Sequence, residues 1–189
     1  MRNLKTIAIA LVTLVSFTVN AQQTKKIDAA KSGIVWTGEK VTSSHTGTIG
    51  LQSGALVFKG KVLQGGTFTV DMTTINTTDL KPGQGKESLD GHLKAEDFFG
   101  VEKYKTANLV FKTISGKGNG LYTVTADLTI KGITKPITFD ITVKGNTATT
   151  TLKVDRTKYD IKYGSGSFFS DLGDKTISDE FELKVNLVW

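Results

Sequence analysis

The sequence predicts an all-β domain of antiparallel strands, closed as a small barrel or packed as a sandwich. Two observations carry this prediction. From Ile34 onward apolar residues recur with period two, and Gly- and Asn-rich turns separate the alternating runs at short intervals. Side chains on a strand point to opposite faces in turn, so each run presents one apolar and one polar face. Closure into a barrel is the economical arrangement because it removes exposed strand edges.

The alternation is clearest in three places. Tyr122, Val124, Ala126, Leu128 and Ile130 alternate with Thr123, Thr125, Asp127, Thr129 and Lys131. Ile137, Phe139, Ile141 and Val143 alternate with Thr138, Asp140, Thr142 and Lys144, and Phe181, Leu183, Val185, Leu187 and Trp189 form the last apolar face. Phe68, Val70 and Met72, then Ala107, Leu109 and Phe111, continue the pattern. Turn chemistry lies between: Gly116-Lys117-Gly118-Asn119-Gly120 and Lys144-Gly145-Asn146 supply residues that tolerate positive φ. Gly60 and Gly65-Gly66 are read as bounding a short stretch between strands.

Two stretches break the rhythm. Residues 79–106 contain Pro82 and a segment in which Leu89 and Leu93 could share one side of a short helix, weakened by Gly91. So long an excursion is expected to be a cap or a functional loop. Residues 164–175 form a second irregular stretch, with Phe168-Phe169.

The N-terminus has the layout of a secretory signal peptide. Arg2 and Lys5 precede an uncharged apolar run over residues 7–19, and Val19-Asn20-Ala21 offers small residues for cleavage before Gln22. The expected organisation is a signal peptide over 1–21 and one domain over 22–189, in a periplasmic or secreted protein. The chain has no Cys, which excludes disulfides, thiol catalysis and thiolate metal sites. Its net charge of +6 is spread along the sequence rather than clustered. That argues against a nucleic-acid partner and leaves room for transient contact with a membrane surface.

Catalytic motifs are missing. There is no Gly-x-Ser-x-Gly elbow and no phosphate-binding loop of the Gly-Lys-Ser/Thr kind. His45 and His92 are the only two histidines, and neither has a partner at metal-ligand spacing. Neither an enzyme nor a metal or cofactor protein is expected.

A set of motifs resembles one family. Leu89-Asp90-Gly91-His92-Leu93-Lys94, Asp97-Phe98-Phe99 and Glu102-Lys103-Tyr104 look like the central motif of the YceI-like proteins. Trp36, His45-Thr46-Gly47, Gly65-Gly66-Thr67-Phe68, Val70-Asp71-Met72-Thr73-Thr74-Ile75 and the hairpin from Leu128 to Pro136 match in the family's order. Lys105 and Gly100 depart from the pattern, where the family often has Pro and an acidic residue. The resemblance implies a lipocalin-like, eight-stranded antiparallel β-barrel with a short helix or loop excursion. It also implies an exported protein that binds a polyisoprenoid lipid or an isoprenoid quinone, for transport or storage. The ligand-contacting set implied is Trp36, Phe68, Val70, Phe98, Phe99, Phe111, Tyr122, Leu128, Phe139, Ile141, Phe181 and Leu183. Phe98 and Phe99 are expected to plug or gate one end. His45, His92, Arg156 and Tyr159 are candidate headgroup contacts, each with a structural role as the alternative.

Periodicity leaves two rivals open. A pocket and a filled core share the same alternation, so the barrel could be solid and act as a structural or partner-binding module. An outer-membrane barrel also alternates with period two, although aromatics at 8% are few for its interfacial girdles.

Overall fold

The computed structural model describes residues 21–189; the expected signal peptide lies, but for Ala21, outside them. Nine antiparallel strands make one sheet: β1 (Gln22–Lys26), β2 (Gly33–Lys40), β3 (Ser43–Lys59), β4 (Val62–Thr77), β5 (Thr106–Gly118), β6 (Leu121–Ile130), β7 (Ile133–Lys144), β8 (Thr147–Asp155) and β9 (Ile177–Val188). The order β3-β2-β9-β8-β7-β6-β5-β4 returns to β3 through β3–β4 pairing, which closes an eight-stranded barrel. β1 pairs with the last part of β3, Ala55–Lys59, while β2 pairs with its first part. The two behave as one strand interrupted by the turn over residues 27–32.

The apolar face of each alternating strand turns inward. On β6 the buried residues are Tyr122, Val124, Ala126, Leu128 and Ile130, and the threonines between them face out. Those outward threonines pair across strands, as Thr125 with Thr138 (3.0 Å) and Thr129 with Thr134 (2.8 Å). An outer-membrane barrel needs the reverse, an outward apolar band. The β5–β6 and β6–β7 hairpins turn on Asn119-Gly120 and Lys131-Gly132, both with positive φ at each central residue. That backbone matches the right-handed twist of the flanking strands.

Gly65-Gly66 is a correction to the sequence reading. These residues do not punctuate; they lie inside β4. A Cβ on Gly66 would stand 2.7 Å from the Phe111 ring, and one on Gly47 would overlap the Trp36 ring. The glycines make room for large aromatics on neighbouring strands.

The two irregular stretches meet at the same end of the barrel. Residues 78–105 carry α1 (Lys86–Lys94). The second excursion starts at the 3-10 turn Arg156–Tyr159 and returns at Ile177. The opposite end is closed by short turns and by Phe58 against Trp189, with ring centroids 5.8 Å apart.

One seam is short. β7 and β8 pair only over Ile141–Lys144 with Thr147–Thr150, whereas β6 pairs with β7 over Ile133–Thr142. Pro136 sits on β7 where the β8 ladder has ended, a place that tolerates the loss of a backbone donor. The Arg156–Tyr159 turn packs against β7 and β9 beside this gap, with Tyr159 and Ile161 fully buried.

Gly66→Ala forces Phe111 off its position in a packed interior. It is expected to cost about 1–3 kcal/mol, read as a lowered midpoint in urea unfolding with an unchanged slope.

Candidate functional site

A cavity of about 170 Å³ runs through the barrel. On β9 its wall extends from Ile177 to Leu187, roughly 33 Å of strand at ~3.3 Å per residue. A small volume over such a length makes a slender bore. Its lining is almost wholly apolar; among the described residues, Thr150, Arg156 and Ser178 supply its polar side chains.

Eleven of the expected contact residues line this bore: Trp36, Phe68, Val70, Phe98, Phe99, Phe111, Leu128, Phe139, Ile141, Phe181 and Leu183. Tyr122 is the exception. Its ring is buried beyond the bore, and its hydroxyl stands 3.4 Å from both the Lys61 carbonyl and the Leu63 amide at the turn end of the barrel. It closes that end and does not face the cavity. Period two assigns a face but not a depth along the axis, which is why Tyr122 was grouped with the rest. Ile34, Ile49, Ile75, Leu152 and Ile177 also line the bore. Leu152 was missed because threonines occupy both faces of β8 and dilute the alternation.

An aromatic ladder crosses the interior. Phe68 meets Phe111 at 5.6 Å, and Phe111 meets Phe139 at 5.9 Å. At the capped end Phe98 and Phe99 pack edge to face at 5.2 Å, and Phe99 meets Phe181 at 6.1 Å. Such contacts favour offset and tilted rings. Phe98, Phe99 and Leu93 therefore form the cavity's ceiling, all buried.

The ceiling is tied down by carboxylates. Lys86 Nζ donates to Asn76 Oδ1 (2.6 Å), the Thr77 carbonyl (2.7 Å) and Asp90 Oδ2 (2.7 Å), while Asp90 Oδ1 accepts from the Thr77 amide (2.7 Å). Asp79 accepts from the Thr46 amide at 3.1 Å, and its other oxygen lies 2.8 Å from His45 Nδ1. Burial pushes both carboxyls up, yet hydrogen bonds from Lys86 and Thr77 to Asp90, and from His45 and Thr46 to Asp79, hold them below the usual value. Gly100, one of the departures from the family pattern, takes φ +55° in the loop that follows, where an acidic residue would be strained.

Arg156 is 2% exposed and reaches the capped end of the bore. Nε donates to the Ser178 carbonyl (2.9 Å), Nη1 to those of Ile161 and Tyr163 (both 2.8 Å), and Nη2 to that of Ile177 (3.0 Å). Asp179 is 3.7 Å away. Burial lowers the guanidinium's pKa, while Asp179 and Asp155 oppose that shift; an arginine remains a cation through such changes. Of its five N–H donors, the one not bonded to a carbonyl is on Nη2, the nitrogen that faces Asp179.

The other headgroup candidates stand away from the bore. His45 serves the Asp79 tether. His92 stacks between Phe98 (5.5 Å) and Tyr163 (4.4 Å), which joins the two excursions. Tyr159 is buried, and burial, with Asp155 adding, pushes its phenol up to about 12, so it stays neutral.

Residues 26–189 match the family model described as the YceI-like domain. The chain belongs to the YceI-like family. Among relatives, Protein YceI of Escherichia coli is 35% identical over 82 residues, covering 39% of this chain and 41% of that protein. A protein of Shewanella denitrificans is 36% identical over 64 residues, covering 34% and 32%. These matches thus span about a third to two fifths of the relatives' length. The barrel is similar to that of BcnA from Burkholderia cenocepacia, with TM-score 0.67 and 23% identity over 86% of this chain and 99% of that one. It is also similar to a polyisoprenoid-binding domain from Saccharophagus degradans, with TM-score 0.58 and 14% identity over 86% and 95%. At these identities the likeness establishes the YceI-like fold.

Two predictions follow from the geometry of this YceI-like cap. Arg156→Met leaves four backbone carbonyls without their donor and is expected to cost about 3–5 kcal/mol. Urea unfolding measures the loss, and faster amide exchange over residues 160–179 locates it. The second concerns pH. The folded pKa values of Asp79 and Asp90 lie below their unfolded values, so their stabilisation is complete above about pH 4 and is lost as pH falls through the lowered values. Amide exchange in α1 is expected to accelerate under acid before the β6–β7 ladder does; simultaneous opening of both would contradict the assignment.

Proposed function

We propose that the protein is exported to the periplasm or the medium and carries an isoprenoid lipid in its bore. The observation that supports this is the shape and chemistry of the cavity: slender, running along the barrel interior, almost wholly apolar, and capped. A polyprenyl chain is long, thin and wholly apolar, so it matches such a wall without needing polar partners along its length. Burial contributes about 0.8 kcal/mol per methylene-sized group. Ten carbons then give about 8 kcal/mol, from which the ordering costs of binding are subtracted. The polyisoprenoid bound by the Saccharophagus degradans domain is consistent with this reading.

Arg156 sets the polarity of the ligand's end. One N–H not bonded to a carbonyl suits a single acceptor oxygen, such as a quinone carbonyl, more than a diphosphate, which needs several donors. Transport or storage is the role that fits a closed bore, with transient membrane contact as the step of exchange. The filled-barrel module is the weaker reading, because open space follows the axis where a solid core would place side chains.

The test is mass spectrometry of organic extracts from protein purified without detergent, beside the variant Ala107→Phe. Ala107 lines the bore, so Phe blocks it while keeping it apolar. Stoichiometric prenyl lipid in the parent and little in the variant is the expected result. Repeatedly empty extracts from both, with the fold intact by circular dichroism, would replace the carrier reading with the filled-barrel one.

A further inference from the structure

Among the described residues, the large apolar side chains that remain exposed are Val35, Val41, Val62, Val110, Tyr163, Phe168 and Phe169. Every aromatic among them lies in the second excursion, at the capped end. Val41 is also there: it forms the tip between β2 and β3, and its amide donates to the Thr176 carbonyl at 3.1 Å. Gly166 packs against the Thr176 side chain, so Val41 and the loop bearing Phe168 and Phe169 form one continuous surface. Residues 166–171 are all exposed, and Phe168 and Phe169 are each 51% exposed. This is a protruding tip, not a groove.

The tip connects to the bore through direct contacts. Lys162 Nζ lies 5.2 Å from the centre of the Phe168 ring, and Tyr163, its neighbour in the chain, packs edge-on to His92. His92 packs on Phe98, which lines the cavity. Lys40, Lys162 and Lys175 flank the apolar tip; Lys162 also pairs with Asp160 at 2.7 Å, and Asp171 and Asp174 precede Lys175.

We propose that Val41, Tyr163, Phe168 and Phe169 form a docking surface for a phospholipid bilayer, with Lys40, Lys162 and Lys175 facing anionic headgroups. Paired aromatics on a loop tip fit the interfacial region of a bilayer, where an apolar ring is buried beside wet polar groups. Lysines beside them keep their charge at headgroup level while their stems lie along apolar surface. A protein partner needs a broad patch of roughly 800 Å² per side, which a narrow tip does not offer. Because Phe98 is two contacts away, seating the tip in a bilayer brings the cavity's ceiling to the membrane surface. That last step rests on the carrier reading; the docking itself does not.

The experiment is co-sedimentation of the protein with vesicles of phosphatidylethanolamine and phosphatidylglycerol that contain no isoprenoid. The parent is expected to bind, and Phe168→Ser/Phe169→Ser to bind about tenfold less, with the same thermal midpoint because both residues are exposed. Lys40→Gln/Lys162→Gln/Lys175→Gln is expected to bind anionic vesicles no better than phosphatidylcholine ones. Equal binding by the parent and the Phe168/Phe169 variant would overturn the proposal. So would a change from dimer to monomer in that variant by light scattering without a change in vesicle binding, which would assign the tip to a second copy of the chain. Vesicle binding that persists alongside empty extracts would refute lipid carriage and leave the docking surface standing.

Discussion

The capped end depends on one buried cation. Arg156 leaves the end of β8 and collects carbonyls from two separate places, Ile161 and Tyr163 in the second excursion and Ile177 and Ser178 on β9. A guanidinium out of water is costly unless its donors are used, and here four of five are. The same bonds give an irregular stretch of backbone the partners that a sheet would otherwise supply. The loop's shape, the position of Tyr163 against His92, and the polarity at the end of the bore all follow from that single side chain.

The interior obeys a second constraint, the small radius of an eight-stranded barrel. Phe68, Phe111 and Phe139 together with Trp36 would overfill it if every inward position carried a side chain. Glycines at 47 and 66 remove a Cβ where the Trp36 and Phe111 rings lie. The result is an aromatic wall pressed against bare backbone on one side, with space left along the axis. Aromatic size and glycine placement have to be read together; either alone would predict a solid core or a loose one.

Much of this was legible in the sequence, because alternation is a strong signal wherever threonine and lysine mark the outer face. β6, β7 and β9 are such cases: of the expected contacts drawn from them only Tyr122 falls outside the bore, while Ile130, Ile177, Val185 and Leu187 line it in addition. What was not legible has physical reasons. The partners of Arg156 are backbone carbonyls, which leave no trace in residue identity. Gly65-Gly66 has the same composition as a turn, and only the ring of Phe111 on another strand shows that it is not one. That the two excursions share an end follows from strand count and direction, which no single segment reveals.

The short β7–β8 seam gives the cylinder a line of weakness. The seam's four register pairs are the fewest of the eight joints, β4–β5 having five, and a proline lies beside it, with the Arg156–Tyr159 turn as a wedge. A tube stitched this way does not swell evenly. It is least constrained along one meridian, like a split sleeve, with the turn filling the gap. The wedge opens the same excursion that carries the exposed phenylalanines, so the weakest line of the wall and its exposed tip are served by one stretch of chain.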